Sequence, residues 1–288
     1  MASLHFYKYQ GAGNDFVLLD ARTMTETPTE EQIRRLCDRR FGVGGDGLML
    51  LKNSDKADFE MCYYNSDGRL GSMCGNGGRC ITAFARKLGI VRDKARFVGY
   101  DGFHEAEIIS QTENVAVVKL KMRDVDAIDS CLEGHFVDTG SPHYVEQVKE
   151  VWHYPVVEKG AYWRRHPHFP EGTNVDFVEI SQETVCNAVA ATNSCRTVAS
   201  VEAGGHTTCP VLLNVRTFER GVEDETYSCG TGVTASALVH AHLHPEVASP
   251  ILIHTLGGDF QVFFHRSAQG FRDVWLQGPA TLVFEGEI

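Results

Sequence analysis

No uncharged apolar run in this sequence approaches the roughly 18 residues of a membrane-spanning helix, so a membrane protein is not expected. Basic blocks and basic amphipathic helices are missing as well. With 27 Lys and Arg against 38 Asp and Glu, for a net charge of −11, the chain lacks the clustered cations that phosphate binding requires. Nucleic acid is therefore not an expected partner. The stretch MASLHFYKYQGAGNDFVLLD has no charged leader followed by an apolar segment, and no signal peptide is expected. No two cysteines are spaced Cys-x-x-Cys, and Cys74 and Cys80 are separated by five residues, which argues against a zinc site.

What is present is ordinary for a soluble globular chain: 288 residues, 43% hydrophobic and 23% charged, enough for one large domain or two of common size. Nine cysteines at irregular spacing do not make a secreted disulfide framework. A reduced, cytoplasmic protein with free thiols is expected.

The chain is written twice. Ser72-Met73-Cys74-Gly75-Asn76-Gly77 returns 155 residues later as Tyr227-Ser228-Cys229-Gly230-Thr231-Gly232, and each copy runs into a helix-like segment, CITAFARKLG and VTASALVHAHL. Upstream, YQGAGNDFVLLD at 9–20 is echoed by VDTGSPHYVEQV at 137–148, and FGVGGDGL at 41–48 by FPEGTNVDF at 169–177. Downstream, RFVGYDGFHEAEI at 96–108 resembles LIHTLGGDFQVFF at 252–264, both strand–turn–strand patterns. Four echoes in one order imply two similar domains, since two copies are too few for a stacked array.

Local signals agree. Thr27, Pro28 and Glu30 read as a capping box with Pro at the first helical position, followed by an apolar stripe of Ile33, Leu36, Cys37 and Phe41. FVLLD, GLMLL, FEMCYYNSDG, AVVKLKM, LLNVRTFERG and DVWLQG read as short strands. Val233 to Val239 carries no charge on any face, and a helix apolar all round belongs in the interior. Each Cys-Gly turn is thus expected to open a helix buried inside a sheet.

Such a turn has chemical consequences. The first turn of a helix leaves N–H groups without partners and carries partial positive charge, and glycines let the backbone approach a ligand. It suits a substrate carboxylate and is expected to draw a cysteine's pKa down toward working pH. Inverting an sp³ carbon needs a base on one face and an acid on the other. Cys74 and Cys229, one per domain across a cleft, suit those roles. The remaining cysteines, 37, 62, 80, 131, 186, 195 and 209, are expected to pack as small hydrophobes. The His240, His242 and His244 cluster reads as a frayed helix end where cationic His suits the dipole, and Arg164, Arg165, His166 and His168 as a solvated stretch.

The motifs Gly11-Ala12-Gly13-Asn14-Asp15-Phe16, Asn65-Ser66-Asp67-Gly68, Cys74-Gly75-Asn76-Gly77-Gly78-Arg79-Cys80, Ser141-Pro142-His143, Asn174, Phe218-Glu219-Arg220-Gly221, Cys229-Gly230-Thr231-Gly232 and the closing Gly278-Pro279-Ala280 stand in one order. With them the chain resembles the diaminopimelate epimerase family over essentially its whole length. The resemblance implies an α/β (α+β) fold of two pseudo-symmetric domains, each a mostly antiparallel sheet wrapped around a central helix. Their expected extents are 1–123 plus 277–288, and 124–276. It implies Cys74 and Cys229 as acid–base thiols, assisted by His143 and Glu219 respectively, without pyridoxal phosphate, metal or other cofactor. Gly75, Asn76, Gly230 and Thr231 would hold the reacting carboxylate. Asn14, Asn65, Ser141, Asn174, Glu219 and Arg220 would contact the remaining amino and carboxylate groups. A homodimer and a place in lysine and cell-wall precursor synthesis are implied too.

Two positions depart from the family pattern. Ser141 replaces an Asn before Pro142-His143, and Gly47 stands where some members carry a polar residue. Three rival readings remain: a racemase of the same fold acting on proline, hydroxyproline or histidine, a cysteine-nucleophile hydrolase, and a non-catalytic amino-acid-binding module. A hydrolase does not need the motif twice, and a carboxylate receptor gains nothing from paired thiols.

Overall fold

A computed structural model describes residues 4–71, 73–181 and 211–288. The chain divides into two compact units, Met1–Lys121 with Gly278–Ile288, and Met122–Gln277.

The first unit is built on β1 (His5–Gly11), β2 (Asn14–Asp20), β3 (Gly47–Lys52), β4 (Phe59–Asn65), β5 (Lys94–Gly99), β6 (Gly102–Gln111) and β7 (Val115–Lys121). Each strand is hydrogen-bonded to the next. The β2–β3 and β4–β5 pairs are parallel and the others antiparallel. Parallel neighbours need a crossover, and helices supply it: α1 (Glu30–Cys37) between β2 and β3, α2 (Gly75–Lys87) between β4 and β5. The end of the chain closes the ring, since Gly278 to Thr281 pair with β7 and Thr281 to Glu287 with β1.

Strand β2 shows why its sequence is not alternating. Val17 and Leu19 join Ile33 and Leu36 of α1 in one apolar cluster. Phe16 and Leu18, equally buried, point to the other face. A strand covered on both faces reads as a continuous apolar run. Helix α2 packs against β1, β2, β3, β6 and β7 and is buried from Asn76 to Ala85.

The second unit repeats this order. Strands β8 (Asp129–Cys131), β9 (Gly134–Asp138), β10 (Pro142–Gln147), β11 (Asn174–Ile180), β12 (Leu212–Glu219), β13 (Asp224–Thr226), β14 (Ile251–Thr255), β15 (Gly258–Ser267) and β16 (Gly270–Glu287, up to Gln277) form its sheet. Here β10–β11 and β12–β14 are the parallel pairs, bridged by α3 (Val156–Arg164) and α4 (Gly230–Leu243). Even a ladder irregularity recurs, between Ile108 and Ser110 on β6 and between Phe263 and His265 on β15. The segment after Lys121 plays the closing role: Met122 N–H donates to Val274 O, Val125 bridges Phe271, and β8 pairs with β9. Two pseudo-symmetric, mostly antiparallel sheets around a central helix are the observed fold.

The uncharged helix is α4, buried at Gly230 and from Gly232 to Ala241. Its buried hydroxyls are satisfied locally, Thr234 donating to Gly230 O at 2.9 Å and Ser236 to Gly232 O at 2.8 Å.

Several local expectations are corrected. The capping box of α1 uses Thr29 and Gln32, not Thr27 and Glu30. Thr29 N–H donates to Gln32 Oε1 at 2.8 Å, and Gln32 N–H to Thr29 Oγ1 at 3.3 Å. The two boxes overlap in sequence, and the later start puts both Glu30 and Glu31 in the first turn. Phe41 is outside the helix and 79% exposed. The Asp38 carboxylate accepts from Arg40 and Phe41 N–H groups, and that turn competes with a further helical one.

His240 is buried rather than frayed, and burial, with the nearby His244, pushes its pKa down to about 4, so it is neutral and not a cationic cap. Arg164 is not simply solvated, since it pairs with Glu223 at 3.0 Å and is 22% exposed. His166 is half-buried, while Arg165 and His168 are exposed. Cys37 and Cys80 are buried, but Cys62 and Cys131 only half so. Cys186, Cys195, Cys209 and Ser72 lie outside the described residues.

Candidate active site

Both cysteines stand as N-caps with nearly the same backbone. Cys74 has φ −108° and ψ 124° before α2, and Cys229 has φ −119° and ψ 115° before α4. Gly78 N–H donates to Cys74 O and Val233 N–H to Cys229 O, each at 2.8 Å. Cys74 is half-buried and Cys229 buried. Side chains on the third residue after each cysteine are barred. A Cβ on Gly77 would lie 2.7 Å from Met49 Cε, and one on Gly232 2.3 Å from Asp176 Oδ1.

In the first unit, Asn76 in the opening turn of α2 donates to Asn14 Oδ1 at 2.7 Å, and Asn14 Nδ2 donates to Asp46 Oδ2 at 2.8 Å. Buried Arg79 holds the other end, donating to Asn76 Oδ1 at 2.9 Å and to Pro279 O at 3.2 Å. Asp46 also takes Arg39, which makes a two-pronged contact with Asp15, itself 2.7 Å from buried Lys8. Lys8 reaches Gly44 O as well. Asn14 and Asn76 are thus fixed by a charged lattice behind them. Asn65 is exposed at the end of β4, opposite Gly47. No side chain fits at Gly47, where a Cβ would fall 2.4 Å from Tyr64 O.

In the second unit a polar network lies against the start of α4. His143 and Asp176 are both fully buried, with Nδ1 2.7 Å from Oδ2. His143 Nε2 lies 2.9 Å from Thr231 Oγ1 and 3.0 Å from Ser141 Oγ. Thr231 Oγ1 is 3.0 Å from Ser141 Oγ and 3.4 Å from Cys229 Sγ. Asn174 Nδ2 donates to Pro142 O, and its Oδ1 accepts the Arg220 backbone N–H at 2.8 Å. Arg220's side chain also donates to Glu171 O at 3.3 Å. Thr217 donates to the second Asp176 oxygen at 2.7 Å, and Thr139 to Thr231 O at 2.9 Å.

The expected lowering of the cysteine pKa is overturned at Cys229. Burial, then the Glu219 and Asp176 carboxylates, push its thiol well above the ordinary range, against the weaker pull of the Thr231 hydroxyl and Gly232 N–H. At neutral pH this side chain holds its proton.

Within the second unit the structure brings together His143, Ser141, Asn174, Thr231, Cys229, Glu219 and Arg220, and within the first Asn14, Gly75, Asn76 and Cys74. Asp176, Thr217, Thr139, Asp15 and Asp46 were not anticipated as part of the site. In NVDFVEI the alternation of Asp176 with apolar neighbours reads as a solvent-facing position, so no signal in the sequence marks it. Among the described residues no group of three or more His, Cys, Asp or Glu is placed to hold a metal ion. No described helix is long and apolar enough to cross a membrane.

Solved structures share this fold. A phenazine biosynthesis protein of the PhzF family from Bacillus anthracis superposes with a TM-score of 0.71 at 15% identity, covering 100% of this chain and 99% of that one. A hydroxyproline epimerase from Agrobacterium vitis superposes at 0.62 and 14%, covering 100% and 91%. These define the fold class. The diaminopimelate epimerase family model matches residues 6–125 and 135–283. The diaminopimelate epimerase of Flavobacterium psychrophilum is 39% identical over 99% of this chain and 100% of its own. That of Aquifex aeolicus is 34% identical over 99% and 98%. The chain belongs to the diaminopimelate epimerase family.

Proposed function

We propose that this protein is an isomerase that interconverts LL- and meso-diaminopimelate by inverting one α-carbon, with Cys74 and Cys229 as the two proton-transfer groups. The observation that carries the reading is the duplicated cysteine N-cap. Two thiols in matching backbone settings, one in each repeat, supply the two single-proton groups that inversion requires, and positioned acid–base groups are worth on the order of 10²–10⁴ in rate. Cys229 starts as the acid, because burial and its carboxylate neighbours keep it protonated. Cys74 takes the α-proton, and the roles exchange in the reverse direction. N–H groups of Gly75, Asn76, Gly230 and Thr231 stabilise charge developing on the reacting carboxylate. His143 and Glu219 assist the thiols. Asn14, Asn65, Ser141, Asn174 and Arg220 orient the rest of the substrate, and Arg220 supplies the charge that a second carboxylate needs.

The chemistry uses neither pyridoxal phosphate nor metal in this reading. We place the reaction in lysine and cell-wall precursor synthesis in the cytoplasm, carried out by a homodimer. Support comes from family membership and from the odd, irregular set of cysteines.

The test is epimerisation of LL-diaminopimelate to the meso form with metal and pyridoxal phosphate excluded. In D₂O, product should gain deuterium while recovered substrate stays protiated at early times. Cys74→Ala and Cys229→Ala should each lower the rate by several orders of magnitude in folded protein. Full activity in either variant overturns the assignment. A higher kcat/KM for proline, hydroxyproline or histidine overturns the substrate.

A further inference from the structure

The two repeats are not chemically equal behind their cysteines. Strand register aligns them. Phe16 pairs with Gly47 across the first parallel pair, as His143 pairs with Asn174 across the second. Two residues further along, Met49 and Asp176 meet the glycine three positions after the cysteine, Gly77 and Gly232. So Phe16 corresponds to His143 and Met49 to Asp176. The first repeat fills these places with apolar side chains, and the second fills them with a buried imidazole and a buried carboxylate in contact. The same backbone folds with an apolar pair, so packing alone does not call for the charged one.

We infer that Asp176 is the positioning residue of His143. Its Oδ2 accepts the proton of Nδ1, and Thr217, donating to Oδ1, locks the carboxylate in that orientation. With Nδ1–H so engaged, Nε2 is the nitrogen left to act as a base, and it faces Thr231 Oγ1, Ser141 Oγ and Asn174 Nδ2. Thr231 Oγ1 in turn stands 3.4 Å from Cys229 Sγ. The carboxylate thus chooses the tautomer, and the tautomer decides which nitrogen can exchange a proton on the side of the reacting groups. This rests on the reading above that His143 assists proton transfer.

The experiment reads the tautomer and the kinetics separately. ¹⁵N NMR of imidazole-labelled wild-type protein should show His143 carrying its proton on Nδ1, assigned by comparison with His143→Gln. Asp176→Asn presents either an amide N–H or an oxygen to Nδ1, so the Nδ1–H preference should be lost. For diaminopimelate its kcat should fall by on the order of 10² or more, within the range for a positioned acid–base group, with KM nearly unchanged. Thr217→Val keeps side-chain size and frees one carboxylate oxygen. It should lower kcat severalfold and serves if Asp176→Asn does not fold. A wild-type His143 protonated on Nε2 alone overturns the inference, as does wild-type kcat in folded Asp176→Asn or in Thr217→Val. Wild-type protein inactive on diaminopimelate would instead overturn the proposed function and leave the tautomer result standing.

Discussion

His143 Nδ1 lies 2.7 Å from Asp176 Oδ2, and neither side chain is exposed at all. Where the second repeat has this pair, the first has Phe16 and Met49, also fully buried. The contrast predicts a separation of stability from activity. Removing one member leaves a buried charge without its partner, so His143→Phe alone should destabilise the fold by about 3–5 kcal/mol. The double change His143→Phe with Asp176→Met copies the first repeat and should recover most of that loss while abolishing epimerisation. Thermal or denaturant unfolding of both variants checks this. A double variant no more stable than the single one sinks the argument.

The thiols should differ in reactivity. The thiolate is the nucleophile, so reaction follows exposure and deprotonation together. Cys74 is half-buried, whereas Cys229 is buried and pushed well above the ordinary range by burial, Glu219 and Asp176. Burial also raises Cys37 to about 11 and Cys80 to about 12. Iodoacetamide at neutral pH should therefore modify Cys74 before Cys37, Cys80 or Cys229, and Glu219→Gln should quicken modification of Cys229. Peptide mapping over time decides it, and Cys229 labelled first would contradict the assignment of Cys229 as the resting acid.

Much of this was legible in the residues. The repeat shows because the turn that places each cysteine needs glycines at fixed positions, and because strands buried on both faces, such as Asn14–Asp20 and Gly47–Lys52, read as apolar runs. Asp176 did not show. An Asp between Val175 and Phe177 has the alternation of a solvent-facing residue, and only the packing of Gly232 against it reveals that its face is interior. The start of α1 was misplaced for a local reason, because Thr27 and Thr29 each head a capping pattern and propensity alone does not choose between them. His240 reads as a cationic cap from its neighbours in sequence, but its burial keeps it neutral.

Ser141 does more than stand in for an asparagine. Its Oγ lies 3.0 Å from His143 Nε2, 3.0 Å from Thr231 Oγ1 and 3.3 Å from Asn174 Nδ2. A single hydrogen bond contributes about 0.5–1.5 kcal/mol net, so Ser141→Ala should lower kcat by about three- to tenfold by loosening the imidazole. Ser141→Asn, with a longer amide, should act on KM more than on kcat, because a distal carboxylate binds ground and transition states alike. Steady-state kinetics on diaminopimelate separates the two. An unchanged kcat in Ser141→Ala would show that the contact with Nε2 has no part in the reaction.

Asp15 links acid stability to Asn14, proposed above as a substrate contact. Burial tends to raise its pKa, but hydrogen bonds from Arg39 and Lys8, with their charges, outweigh this and bring it down to about 2. A carboxylate whose folded pKa lies below its unfolded value near 3.8 stabilises the fold above that value, and the contribution is lost as pH falls toward 2. At about 1.4 kcal/mol per pKa unit, discounted for a group still partly in solvent, the pH-dependent part is roughly 1–2 kcal/mol. Asp15→Asn leaves buried Lys8 without its 2.7 Å partner, so it should be less stable than wild type at pH 7 by more than that. The gap should then narrow by roughly 1–2 kcal/mol between pH 5 and pH 2 as wild type loses the same charge. Because Arg39 bridges the Asp15 carboxylate to Asp46, which accepts from Asn14 Nδ2, the variant should also raise KM by loosening Asn14. Urea unfolding across this pH range measures the first effect, and a gap that stays constant from pH 5 to pH 2 would mean that Asp15 is not held in its charged form by Arg39 and Lys8.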